Sequence, residues 1–137
     1  MLLKVVILKI NKNFIIAISI MTFKSCEKVP DLNVYDTEEY QAFSTNLETE
    51  HNNIWESSCI KCHNLNTEYI GYNVTNYWNK TANKGIDTLY KHVYQGYKGE
   101  LGIMPPRGSC YDCSELDIKN SIYHLFYLSE KYNIEDN

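Results

Sequence analysis

The pentapeptide Cys59-Ile60-Lys61-Cys62-His63 constrains this chain more than any other stretch of its 137 residues. Two thiols separated by two residues, with an imidazole directly after them, have the spacing that attaches c-type haem. The thiols add across the two vinyl groups of the porphyrin. One tight helical turn reaches both, and the next residue then lies beneath the iron. A covalent tether also keeps the cofactor in a domain too small to enclose it fully. Two other chemistries use the same residue types. A Cys-x-x-Cys pair can be a thiol redox couple, although that site wants a strand-to-helix setting and leaves His63 without a role. Cys59, Cys62, Cys110 and Cys113 together could form a zinc ribbon, although 47 residues separate the two pairs.

The chain before this motif divides by charge. Residues 1–26 carry Lys4, Lys9, Lys12 and Lys24 and no acid, so the overall charge of −4 conceals −8 on the remainder. The apolar run Phe14–Phe23 follows the first lysines, and small Ser25 precedes Cys26. A basic start, a short apolar core and a small-residue exit predict an export signal over residues 1–25, or an N-terminal membrane anchor. Cys26 is a candidate for lipidation. Residues 26–36 read as a linker and 37–137 as the folded domain. The acidic balance argues against a nucleic-acid partner.

Haem iron in electron carriers is commonly held by histidine on one side and methionine on the other. Of Met1, Met21 and Met104, the first two belong to the leader. Met104 is therefore the expected second axial ligand, with His51, His92 and His124 as rivals. It sits in Gly102-Ile103-Met104-Pro105-Pro106-Arg107-Gly108, where two prolines fix φ and remove backbone donors. A stiff loop can hold a weak thioether ligand at little conformational cost. Soon after it, Cys110 and Cys113 could close a small disulfide in an oxidising compartment, fixing the end of the Met104 segment against the next helix. A second redox centre is the alternative.

Three helical patterns surround these motifs. Asp36 with Glu39 makes a capping box ahead of Tyr40, Phe43, Leu47 and Ile54, predicting a helix to about Trp55. Ile86, Leu89 and Val93 lie between Gly85 and Gly96, the latter a plausible stop. Ser114 with Asp117 starts a third helix, with Ile118, Ile122, Leu125 and Ser129 on one stripe and Phe126 beside it. Residues 63–84 and 97–113 read as loops, and no alternating strand pattern is visible. A thin all-α core with long loops predicts that the loops wrap something.

From about Ile54 to Leu128 the chain resembles the class I c-type cytochromes, and among them the cytochrome c5 family. The residues that carry the resemblance are Cys59-Ile-Lys-Cys-His63, Trp78, Lys84-Gly-Ile-Asp-Thr-Leu89, Gly96-Tyr-Lys-Gly99 and Met104-Pro-Pro-Arg-Gly-Ser-Cys-Tyr-Asp-Cys-Ser114. The resemblance implies three to four helices around one covalently bound haem c, attached at Cys59 and Cys62 and ligated by His63 and Met104. It also implies a Cys110–Cys113 disulfide and a haem pocket including Trp78, Leu89 and Pro105, with Trp78 near a propionate. Two departures stand out. The family has a proline between the haem motif and the tryptophan, whose carbonyl receives the imidazole N–H, and none occurs here between His63 and Trp78. The glycine of the family's first helix is replaced by His51, and the matching aromatic of the last helix falls on His124.

The expected function is therefore a periplasmic single-electron carrier, not an enzyme. By analogy with the family, its partners would be a quinol-oxidising complex and a terminal oxidase. Its acidic domain suggests partners with basic docking patches. The alternative is a haem-based sensor in which Met104 dissociates to admit a gas.

Overall fold

A computed structural model describes residues 32–46, 53–65 and 70–135. They belong to the second of two units into which the chain divides, Asp31–Asn137. The leader, Cys26 and His51 lie outside the described residues. The described part is mostly helical, as expected of an all-α chain, with five α-helices and one short hairpin.

Val34–Asp36 form a 3-10 turn, and Val34 is fully buried. The packed unit therefore begins earlier than the expected linker end at residue 36. Asp36 is used in this turn and does not cap the first helix. Thr37 does so instead, its hydroxyl accepting from the Tyr40 N–H at 3.2 Å and donating to the Val34 carbonyl at 2.8 Å. Helix α1 spans Glu38–Asn46. Trp55–Cys59 wind as a π-helical turn that runs directly into α2, Ile60–His63. Such wide turns are rare and collect at functional sites.

Helix α3, Thr75–Ala82, lies inside the stretch read as loop 63–84. Only Trp78, Thr81 and Ala82 of it are buried, in a run otherwise rich in Asn and Tyr, so its apolar period is too sparse to register in the sequence. Helix α4, Ile86–Gln95, follows Gly85 and stops at Gly96 as expected. The stretch 97–113 also holds more order than a loop. Strands β1, Tyr97–Gly99, and β2, Gly102–Met104, pair antiparallel with Tyr97 opposite Met104, and a 3-10 turn covers Pro106–Ser109. Strands of three residues are too short for alternation to register in sequence.

Helix α5, Glu115–Glu135, is about 31 Å long at the usual rise per residue. Its start follows the capping-box expectation. The Asp117 carboxylate accepts from the Ser114 N–H at 2.8 Å, and the Asp117 N–H donates back to the Ser114 hydroxyl at 3.2 Å. Ile118, Ile122, Leu125, Phe126 and Ser129 are all buried, the stripe that the sequence placed on one face. That face packs on α1, α3 and α4. Phe126 anchors the centre, edge-on to both Tyr35 and Trp78.

Candidate functional site

The folded unit contains a partly open cavity of about 410 Å³, within the range of small-molecule and cofactor sites. Every expected site residue that is described lines it. Cys59, Cys62 and His63 come from the π-helical turn and α2, Trp78 from α3, and Leu89 from α4. Met104 and Pro105 come from the end of β2. Cys110 and Cys113 border it as well, while Ile118, Ile122, Leu125 and Phe126 of α5 supply an apolar wall. Segments 41 positions apart in sequence, at His63 and Met104, thus meet on one cavity.

His63 is oriented for ligation. Its Nδ1 lies 2.8 Å from the Ile70 carbonyl oxygen. A carbonyl only accepts, so Nδ1 carries the proton and Nε2 holds the lone pair. Burial pushes the imidazole pKa below its ordinary value, with the Ile70 carbonyl partly opposing. The ring is thus neutral and able to donate to a metal at neutral pH. Ile70 thus supplies the carbonyl that the resemblance assigns to a proline. Sequence reasoning could state that some carbonyl was needed but could not name it.

Neither Cys59 nor Cys62 takes part in a disulfide. Burial raises the Cys59 pKa above its ordinary value, against a partial opposing effect of hydrogen bonding. A reactive redox thiol needs the opposite shift. Cys110 and Cys113 are joined to each other. That bond consumes two of the four sulfurs a zinc ribbon requires. Among the described residues no three His, Cys, Asp or Glu side chains converge to hold a metal ion.

The Met104 segment is braced on three sides. β1 pairs with it, the Pro105–Pro106 pair stiffens it, and Arg107 ties the following turn to the disulfide loop. The Arg107 guanidinium donates to the Cys110 carbonyl at 3.3 Å and to the Cys113 carbonyl, and it lies over the Tyr94 ring. At Gly96, φ is +82°, and a Cβ there would stand 3.0 Å from the Pro106 nitrogen and 3.1 Å from the Met104 carbonyl oxygen. Glycine is required at that crossing for both reasons.

Trp78 is buried at the cavity, edge-on to His63 with ring centroids 5.8 Å apart. Its indole N–H donates to the Gly71 carbonyl at 2.8 Å. The resemblance places this tryptophan near a haem carboxylate, but its one donor is given to the backbone. Of the rival ligands, His92 lines the cavity with its ring stacked on Tyr97 at 4.2 Å, and His124 is not among the lining residues.

Among the described residues, the charged side chains lining the cavity are Lys61, Lys84 and Arg107, and no Asp or Glu lines it. An apolar cavity whose described charged side chains are all cations suits an amphiphile that brings its own negative charge. Haem, with an apolar macrocycle and two carboxylates, meets that description, and the donor set of two thiols, one imidazole and one thioether meets its attachment chemistry. Comparisons of the chain with protein-family models, characterised proteins and solved structures find no match.

Proposed function

We propose that this chain carries one covalently attached haem c and acts as a single-electron carrier. The observation that carries this reading is the shared cavity of Cys59, Cys62, His63 and Met104, apolar in its walls and cationic where charged. Cys59 and Cys62 would form the thioether bonds, and His63 and Met104 would be the axial ligands. Haem supplies reversible one-electron chemistry at iron. The chain's part is to hold, shield and tune it. The apolar wall from α5 limits water access, and a thioether ligand favours the reduced state. With His63 and Met104 both holding the iron, the chain would pass electrons without making or breaking a bond of a substrate.

The Cys110–Cys113 disulfide supports an oxidising compartment such as the periplasm, in line with the leader. Among the described residues no helix is long and apolar enough to cross a membrane, so any membrane attachment would rest on the N-terminal segment or a lipid on Cys26. Partners would be redox proteins, with a quinol-oxidising complex and a terminal oxidase proposed by the family resemblance. The cations at the cavity are opposite in sign to the net charge.

Mass spectrometry after export from a host with haem-attachment machinery tests the proposal. The peptide spanning Cys59 to Cys62 should gain the mass of one haem. A colourless protein lacking that mass would overturn the reading. Rapid, complete binding of carbon monoxide to the reduced holoprotein would instead favour a gas sensor with a labile Met104.

A further inference from the structure

No proline stiffens the segment between His63 and Trp78, yet this segment must hold the His63 ring in one plane. Four hydrogen bonds converge on three consecutive residues to do so. The Ile70 carbonyl receives His63 Nδ1 at 2.8 Å, and the next carbonyl, that of Gly71, receives the Trp78 indole N–H at 2.8 Å. The Gly71 carbonyl also accepts from the Val74 N–H at 3.2 Å, and the Tyr72 N–H returns to the His63 carbonyl at 3.2 Å. His63 is thereby bonded to this segment through both its ring and its main chain.

Gly71 is the residue that lets the segment come close enough. It is buried, and a Cβ there would overlap both the Asn64 carbonyl oxygen and the Asn73 side chain. The Asn64 oxygen belongs to the backbone just after His63 and cannot swing away like the tip of a side chain. Any larger residue must push the 70–72 segment off the end of α2.

We infer that Gly71 is a positioning residue that couples the His63 imidazole to the Trp78 indole through two adjacent carbonyls. The inference rests on the proposal that His63 ligates haem iron. A carbonyl bonded to the distal ring nitrogen raises the basicity of a ligating imidazole, which favours the oxidised metal. Gly71 therefore helps set the potential without touching the cofactor. Moving the segment should loosen both ring N–H groups together, because their acceptors are neighbours on one rigid stretch.

The test compares holoprotein of the wild type, Gly71→Ala and the control Val74→Ala. Val74 is solvent-exposed beside the same segment. The readouts are haem mass, midpoint potential and hydrogen exchange of the His63 Nδ1–H and Trp78 Nε1–H by NMR. Gly71→Ala should retain haem, shift the potential upward and speed exchange of both N–H groups by about tenfold, the factor for about 1.4 kcal/mol. Val74→Ala should change neither. An unchanged potential in Gly71→Ala, exchange that rises at only one of the two rings, or an equal effect in Val74→Ala would overturn the inference. If Gly71→Ala fails to mature, Trp78→Phe takes its place: faster exchange at His63 supports the coupling, and unchanged exchange overturns it. A wild type without haem mass would instead overturn the functional proposal, which distinguishes the two failures.

Discussion

His124 stacks on Trp55 with ring centroids 5.1 Å apart and planes inclined by 21°. Phe43 and Tyr127 stand edge-on to the same imidazole, and its buried Nδ1 has no hydrogen-bond partner among the described residues. The histidine thus fills an aromatic packing position where α5 passes the segment leading to the Cys59–His63 motif. Burial lowers its pKa to about 4, against a weaker opposing pull from the Glu56 carboxylate. It is neutral in the fold at neutral pH.

This arrangement sets the sign of a pH dependence. The unfolded chain protonates this imidazole near its ordinary pKa of 6.5, while the fold resists protonation until about 4. Between those values the unfolded state binds more protons, so stability rises with pH. The contribution of His124 is complete above 6.5 and is lost as the pH falls toward 4. The melting temperature should therefore fall over that window, and His124→Phe, which keeps the stack without the titration, should remove part of the slope. A parallel slope in the variant would contradict this role.

Breaking the Cys110–Cys113 bond should cost stability but not the cofactor. The ring it closes spans four residues, for which loop-closure entropy gives about 2 kcal/mol. Cys110→Ser should lower the melting temperature while leaving the haem mass and visible spectrum of the holoprotein intact. Loss of haem would show that the bond does more than brace the start of α5.

At Met104 the expected effect is on the iron and not on attachment. Met104→Ala should keep haem on Cys59 and Cys62, lower the midpoint potential and open a coordination position. Potentiometry together with carbon monoxide titration checks both parts. An unaltered potential would mean that another side chain is the ligand, and His92 at the same cavity is the first to examine.

Gly96→Ala probes the brace behind the Met104 segment. The left-handed backbone there disfavours alanine by about 1 kcal/mol, before its Cβ meets the Pro106 nitrogen and the Met104 carbonyl. The variant should melt at a lower temperature, and its holoprotein should lose methionine ligation at milder denaturant than the wild type. Equal ligation stability would separate Gly96 from the Met104 segment.

Local spacing made several of these features readable in advance. The Ser114–Asp117 capping box, the buried stripe from Ile118 to Ser129 and the Gly85 and Gly96 boundaries all follow from interactions within one helical turn or its ends. The first cap stands one residue beyond the expected Asp36. Asp36 and Thr37 are both competent caps, and the burial of Val34 decided between them. Helix α3 leaves little periodic signal because it buries few side chains, and the hairpin leaves none because each strand has only three residues.

The sequence by itself determined the donor set: two thiols and an imidazole at fixed spacing, a thioether just before two prolines, and a cysteine pair beside it. These are properties of side-chain identity and of distances of a few residues along the chain. Only the tertiary structure decided that they border one cavity, that Ile70 holds His63, and that Gly71 takes the indole N–H of Trp78. A main-chain carbonyl is the same chemical group at every position, so no residue name announces which one a distant ring will find. That choice is made by packing, where α5 gathers the helices and brings separate segments within bonding distance.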